Sequence, residues 1–583
     1  MRTHWTMAEA DPTRVAELRR ELGCHPITAQ LLVNRGITSP GQAKVFLSPS
    51  LSGLRLPSGM RDIDSAADRL CRAVLRREPI LVFGDYDADG VTAAALLSGF
   101  LSDCGANVRV YLPHRLREGY GIKADQIRRL TRKGGIRLIV TVDCGSASHE
   151  ALQEAVAAGV EVIVTDHHQV SGALPPAEAV VNPCRPDCAS DLEHLAGVGV
   201  CFYVVIALRR KLRDAGFWST RTEPNLRDYC DLVALGTVAD MVPLRDENRI
   251  LVSAGLSVIN RAPRPGIAAL LASAGVEARH VDASSLAYGI APRINAAGRM
   301  AHAVAAFRLL TAKDEVAARR LAGLLERLNR RRRQIEAQMM AEANEMIHRR
   351  PELGGRRAIV LSRPDWPEGV LGIVASRLVR QLNRPVAMIS IRNGKGKGSA
   401  RSVIGIDLHR ALLDTKDCLE RFGGHAMAAG MTVSAEQIAA FEDRFEAAVR
   451  HQADSDSFDR SLRIDAEMPL SEITDPLMAE IERIGPFGEG NPEPLLMARA
   501  VEIVSSSPAG ADHLRMTLRQ AGNRSGPALE AIRFGAGSLP PESPVRKMAF
   551  RLRWNRWRGR RKLQMVVVAA EDDLRIFLAK QTR

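Results

Sequence analysis

From Ile80 onward, short apolar runs alternate with amphipathic stretches. Ile80–Gly84, Asn107–Leu112, Arg137–Val142 and Val160–Thr165 read as buried strands. Val91–Asp103, Lys123–Lys133 and Ser146–Ala158 read as the helices between them. This alternation predicts a parallel sheet with helices on both faces. Residues 312–350 form one helical run rich in Ala, Leu and Arg, longer than a usual globular helix and placed to connect two domains. A second α/β unit follows, with strands at Arg357–Leu361 and Pro385–Ile391 and a helix at Val370–Gln381. From about residue 460, short strand-like runs between Gly, Pro and Ser turns predict a small all-β barrel. Residues 1–60 look helical and irregular, an arm expected to pack on the first domain.

In parallel sheets of this kind ligands bind beyond the carboxyl ends of the strands, and that is where the acids are. The first strand runs into Asp85-Tyr86-Asp87-Ala88-Asp89-Gly90, the third into Asp143-Cys144-Gly145 and the fourth into Asp166-His167-His168. Asp240 follows the apolar segment Leu232–Ala239. Each acid alone could be a helix cap, with Asp89 the cap candidate in the first motif. Asp-x-Asp-x-Asp-Gly also begins a calcium EF-hand loop. That loop requires a Glu at its twelfth position and a helix before it, whereas here the twelfth position is Leu96 and a strand precedes. Several acidic strand ends on one sheet edge repel strongly in a cleft unless divalent metal neutralises them.

Composition narrows the partners. A length of 583 residues suggests about three or four domains. The net charge of +14 points to a polyanion, nucleic acid before an acidic membrane. Nine scattered cysteines without a Cys-x-x-Cys suit a reducing compartment, the cytoplasm; Cys184 and Cys188 lack the second pair a zinc site needs. Met1 to Leu22 has no apolar signal-peptide core, and Gly197–Leu208, the longest apolar stretch, is too short for a bilayer, so no membrane association is expected.

Three basic segments remain. Arg330-Arg331-Arg332-Arg333 is either a solvated helix face or the lining of a phosphate-backbone channel. Gly394–Ser402 and Gly423–Gly430 put Gly-rich backbone beside Lys, Ser and Arg, which suits close approach to phosphate without being a Walker motif. Phe550–Lys562 alternates, with Phe550, Leu552 and Trp554 on one face and Arg551 and Arg553 on the other, as in barrels that hold single strands or as in a core strand with a solvated edge.

Together these motifs resemble the DHH phosphoesterase superfamily, whose eponymous triplet is Asp166-His167-His168. Within it the chain is similar to the bacterial exonucleases that act on single-stranded DNA. The resemblance rests on Gly84–Gly90, Thr141–Asp143, Val164–His168, Leu195–Val200, Ala234–Asp240, Pro292–Arg299 and Phe422–His425, in order from about residue 60 to the C-terminus. Cys144 departs from it, standing where the family usually has Asn, which puts a supporting hydrogen bond in doubt.

The resemblance implies 5′→3′ hydrolysis of single-stranded DNA in recombination and repair, by a monomer working alongside a single-strand-binding protein and a helicase. It divides the chain into an N-terminal arm (1–60), a catalytic DHH domain (61–311), a connecting helix (312–350), a DHHA1 domain (351–455) and an OB-type barrel (456–583). It implies two Mn2+ or Mg2+ ions held by Asp87, Asp89, Asp143, His167 and Asp240, with Asp143 bridging. Asp85 completes or orients the site, His168 contacts the scissile phosphate or leaving group, and Asp166 orients a ligand imidazole. A 5′-phosphate pocket is implied at Arg115, Ser399 and Arg401, with Asn295, Arg299 and His425 along the strand path and Trp554 in the barrel. Two alternatives stay open: a DHH phosphodiesterase acting on short oligonucleotides or cyclic dinucleotides, and an inactive single-strand-binding scaffold.

Overall fold

The computed structural model describes residues 3–132, 134–170, 172–454, 458–510, 512–523, 526–535, 540–541, 543–557 and 560–571. It comprises two compact units. One contains Arg55–Val242 and Leu251–Asp459; the other gathers Met1–Leu54, Pro243–Ile250 and Arg460–Arg583.

After an initial strand β1 (Thr3–Met7) and a run of helices come β2 (Ile80–Gly84), β3 (Val108–Tyr111), β4 (Leu138–Val142), β5 (Glu161–Thr165) and β6 (Ala179–Val181). Strands β2 to β6 form one parallel sheet in the order β3-β2-β4-β5-β6. Every residue of β2 and β4 is buried, as central strands covered on both faces require. The register puts Gly84 level with Val142 and Val142 level with Thr165. Asp85, Asp143 and Asp166 therefore leave the same edge of the sheet. The helices Ala88–Asp103, Gly197–Asp214 and Cys230–Asp240 pack together and are largely buried, the first two also packing on the strands.

The long helix runs from Glu315 to Arg349, with the Asp314 side chain accepting from Ala317 N at its start. Ala318, Ala322, Leu325, Asn329, Glu336, Met339 and Ala343 form its buried stripe at helical spacing. It packs on helices Pro265–Ala274 and Ala291–Met300 and again on Glu368–Leu382. Its arginine run is split by this geometry. Arg332 turns inward to Glu336 (3.0 Å) and Asn329 (2.9 Å), while Arg330 and Arg333 face Glu326 at 3.8 and 3.6 Å.

The second sheet contains β7 (Ile359–Pro364), β8 (Val386–Arg392), β9 (Lys395–Arg401), β10 (Arg421–Gly424) and β11 (Ala428–Ser434), ordered β10-β11-β9-β8-β7. The glycine-rich segment is thus mostly strand. A Cβ at Gly396 would lie 2.8 Å from Ile389 Cγ2, and one at Gly398 the same distance from Met431 Cγ, so both glycines serve sheet packing. Lys397, Ser399 and Arg401 take the other face.

In the other unit, β12 (Arg460–Ile464) pairs in parallel with β1. A six-stranded sheet of β13 (Ala466–Glu467), β14 (Leu496–Ala509), β15 (His513–Gln520), β16 (Leu529–Phe534), β17 (Val545–Trp557) and β18 (Arg560–Ala570) closes into a barrel through β14–β17 pairing. Residues 1–54 of the N-terminal arm join this barrel, whereas 55–60 fall with the first domain, so the expectation that the arm packs on that domain holds only for its last residues. Ile27 and Leu31 enter the barrel's core, Gln30 and Asn34 donate to Asp465 O, and β1 fills the backbone hydrogen bonds of β12. Short amphipathic helices carry no record of which apolar surface will cover them. Arg249 belongs to the same unit: its guanidinium lies 3.7 Å from the Phe46 ring centroid and donates to the carbonyls of Phe46, Arg483 and Ile484.

Candidate metal centre and phosphate cluster

The acid loop is built from its backbone outward. Asp87, not Asp89, caps the helix Ala88–Asp103, its Oδ1 accepting from Asp89 N (3.0 Å) and Gly90 N (3.1 Å). Asp89 falls in the first turn, which frees its carboxylate to accept from Gly197 N (2.7 Å) and Val198 N (2.9 Å) at the start of helix Gly197–Asp214. Gly90 is obligatory, because a Cβ there would lie 2.6 Å from Asp85 N. Asn295 Oδ1 accepts from Ala88 N (2.9 Å), so its oxygen is committed to holding the loop. Asp143, at φ 61°, turns its carboxylate toward the same point.

His167 Nδ1 lies 3.1 Å from the Leu195 carbonyl. A carbonyl only accepts, so Nδ1 carries the hydrogen and Nε2 presents a lone pair. That lone pair faces Asp143 Oδ1 at 3.2 Å, Asp240 Oδ2 at 3.7 Å and Asp89 Oδ2 at 3.9 Å. Burial and the neighbouring His168 push His167 down to about 4, so it is neutral near pH 7. Burial and the charge of Asp87 push Asp89 up to about 7. Burial also raises Asp85, Asp143 and Asp240 well above the ordinary carboxylate range, reinforced by the neighbouring acids. The buried Oδ1 atoms of Asp85 and Asp143 accept no hydrogen bond among the described residues.

Three overlapping donor groups result, the ligand atoms of each lying within 4.8 Å of one another: Asp89, His167 and Asp240; Asp85, Asp87 and Asp143; and Asp143, His167 and His168, which shares a member with each of the other two. Buried acceptors that face one another need protons or cations between them, and the raised carboxyls show how strongly this site favours added positive charge. Oxygen donors with one imidazole are the set for Mn2+ or Mg2+.

His168 is held differently. Its Nδ1 lies 2.7 Å from Asp166 Oδ1, and Tyr120 Oη lies 3.0 Å from the same ring nitrogen. Despite burial, contact with Asp166 holds His168 up at about 9. Burial likewise opposes ionisation of Asp166, but His168 and the Ser146 N–H hold it down to about 2. Asn182 closes the network, donating to Ser146 Oγ and to the His168 carbonyl, both at 2.9 Å. Tyr120 and Asn182 escaped the sequence reading. The one local signal for Tyr120 is its pair of flanking glycines, both at positive φ. Cys144 is buried among Leu81, Phe83 and Ile139, its thiol donating to Val142 O (3.6 Å), so it offers the acids no polar partner.

Beside the acids stand three guanidinium groups. Arg115 covers the Tyr86 ring at 4.8 Å, Arg299 donates to Gly369 O (3.1 Å) and Arg401 donates to Ser399 Oγ (3.0 Å) and Ala400 O (2.8 Å). Burial and the charges of Arg115 and Arg401 lower Arg299 to about 9; burial and Arg115 also lower Arg401. No carboxylate is paired with these three among the described residues, so the cluster is short of an anion. His425 is exposed in the turn between β10 and β11. Trp554 lies against the barrel core with Arg561 4.2 Å over its ring, and Arg551 and Arg553 share Glu493 at 3.8 and 2.6 Å.

A parallel sheet with paired acid–imidazole groups at its carboxyl edge, beside a cationic pocket, defines a DHH-type phosphoesterase. Three family profiles match in chain order: the DHH family N-terminal domain over residues 79–237, the DHHA1 domain over 355–451 and the RecJ OB domain over 464–569. The single-stranded-DNA-specific exonuclease RecJ of Dickeya dadantii is 37% identical over 579 residues, covering 96% of this chain and 98% of that protein. That of Bacillus subtilis is 34% identical over 582 residues, covering 98% and 71%. The crystal structure of RecJ in complex with Mn2+ from Thermus thermophilus matches with a TM-score of 0.82 at 32% identity, covering 98% of this chain and 80% of that one. The chain belongs to the RecJ family of exonucleases.

Proposed function

We infer that the chain is an exonuclease specific for single-stranded DNA, hydrolysing phosphodiester bonds with two divalent ions, Mn2+ or Mg2+, and working from the 5′ end. The observation that carries this reading is the lone pair of neutral His167 aimed into a ring of buried carboxylates, 3.2 Å from Asp143 Oδ1, next to the unpaired arginine cluster. Asp89, His167 and Asp240 would hold one ion and Asp85, Asp87 and Asp143 the other, with Asp143 the residue placed to serve both. Metal bound by these residues would supply Lewis-acid chemistry, an activated water and neutralised charge on the leaving oxygen. His168, steadied by Asp166 and Tyr120, donates to the scissile phosphate. Arg115, Arg299, Ser399 and Arg401 grip the terminal 5′ phosphate, for which the guanidinium fork is suited. Asn295 is assigned to the acid loop, His425 to the rim of the strand path and Trp554 to the barrel wall.

This chemistry suits recombination and repair, with single-strand-binding protein and helicase as working partners and a monomer as the active form. The reading of short oligonucleotides as substrate gains nothing here, since a closed barrel of about a hundred residues has no use for them. The test is to incubate 5′-phosphorylated, 3′-blocked single strands and 5′-blocked, 3′-free strands with Mn2+ and follow the products. Mononucleotides released only from the first support the reading; release only from the second overturns the polarity, and release from neither overturns the activity.

A further inference from the structure

The sheet face that carries Ser399 and Arg401 continues past them. It lies against helix Glu368–Leu382: a Cβ on Gly372 would meet Ser399 Oγ at 3.0 Å and Arg401 Nη2 at 2.6 Å, and Lys397 Nζ is 3.2 Å from Glu368 Oε2. Strand register arranges the face in rows. Arg421, Thr432 and Lys397 align across β10, β11 and β9; Gly423, Gly430 and Ser399 form the next row, and Ala428 and Arg401 the one after. The middle row has a bare backbone floor. A Cβ on Gly423 would meet nothing within 4 Å, and one on Gly430 only Gly398 O at 3.9 Å.

A groove of about 380 Å³ opens over this floor, lined among others by Glu368, Leu371, Lys397, Ser399, Arg421 and Thr432. Arg421 is exposed, and its guanidinium has no partner among the described residues. Lys397 and Arg421 outweigh Glu368 by one positive charge. Lys397 lies two strand residues from Ser399, about 6.7 Å further from the terminal-phosphate pocket, within reach of a phosphate chain extended from it.

We propose that this groove receives the additional phosphates of a 5′-di- or triphosphate, so that the enzyme processes polyphosphorylated strand ends. The inference rests on the reading that Ser399 and Arg401 hold the terminal phosphate. The bond broken is the ordinary one. Water adds to the phosphorus joining the first two nucleotides, the 3′ oxygen of the first leaves and takes a proton, and that nucleotide departs with its 5′ polyphosphate intact. Arg421 supplies a fork for the outermost phosphate, Lys397 a point charge for the middle one.

The experiment uses the full chain with Mn2+ and single-stranded DNA bearing 5′-hydroxyl, 5′-monophosphate or 5′-triphosphate ends, with chromatography of the first nucleotide released. Wild type is expected to release an intact deoxynucleoside triphosphate from the third substrate. Arg421→Ala and Lys397→Ala, both surface changes, should slow that release about tenfold or more while leaving monophosphate ends within about twofold. Failure of wild type to cut triphosphate ends while it cuts monophosphate ends overturns the inference and spares the pocket reading. Equal losses on both ends in the variants overturn it too. No difference between 5′-hydroxyl and 5′-monophosphate ends removes the pocket reading itself, and the inference with it.

Discussion

Asp143 Oδ1 lies 3.2 Å from His167 Nε2, the ring nitrogen that presents its lone pair to the acids. The contact calls for a proton or a cation between the two atoms, and it is held in place because Nδ1 is occupied by the Leu195 carbonyl and Gly197 closes over the carboxylate. Removing the Asp143 carboxylate takes away the atom between the two donor groups. Asp143→Ala should abolish hydrolysis and reduce Mn2+ binding by calorimetry, with single-strand affinity retained because the barrel is unchanged. Near-normal cleavage by this variant would contradict the two-ion assignment.

Gly197 is a second probe of the same contact. A Cβ there would sit 2.7 Å from Asp143 Oδ1 and 2.8 Å from its Cβ. Overpacking of this kind costs about 1–3 kcal/mol. Here it would be relieved by displacing the carboxylate. Gly197→Ala should keep native circular dichroism while Mn2+ affinity and turnover fall together; unchanged metal affinity would show that the helix shifts instead.

Arg401 carries the 5′-end reading. A hydrogen bond to a charged partner is worth about 1.5–3 kcal/mol, or roughly ten- to a hundredfold in rate. Arg401→Ala should lose that factor on 5′-phosphorylated ends and far less on 5′-hydroxyl ends, measured as initial rates at one fixed salt concentration. Equal losses would mean that Arg401 holds the strand generally.

Glu118 sets the loop that presents Arg115. Its carboxylate accepts from His114 N (2.6 Å), Tyr111 Oη (2.6 Å) and Arg129 Nη2 (2.7 Å). Burial would raise it, but these hydrogen bonds hold it down to about 2, against an ordinary 4.5. A depressed carboxylate stabilises the fold fully above about pH 4.5, and the contribution is lost as the pH falls toward 2. Glu118→Gln should lower the melting temperature at neutral pH, and the gap from wild type should narrow near about pH 3. It should also weaken discrimination between 5′-phosphate and 5′-hydroxyl ends. A gap that widens in acid would contradict this account.

Much of the site was legible in the chain because it is local chemistry. Buried strands announce themselves as apolar runs of about five residues, and the residue after each must leave the sheet at its carboxyl edge. Asp85, Asp143, Asp166 and the imidazoles beside them could therefore be placed at one edge before any coordinates. The closed barrel and the long connecting helix were legible for the same reason, since turn residues and helical periodicity are properties of neighbours in sequence.

What the tertiary structure decided is who meets whom. It made Asp87 the helix cap and turned Asp89 toward Gly197 and Val198, because only the approach of a second helix supplies those N–H groups. It sent most of the N-terminal arm to the barrel, spent Asn295 on the Ala88 N–H, and split the arginine run between a buried pairing with Glu336 and exposed contacts with Glu326. It brought Tyr120 to His168 and aligned Arg421 with Lys397 across two intervening strand pairings. Each of these is a contact between residues far apart in the chain, chosen by shape and by the need to satisfy buried polar groups, and neither periodicity nor composition records that choice.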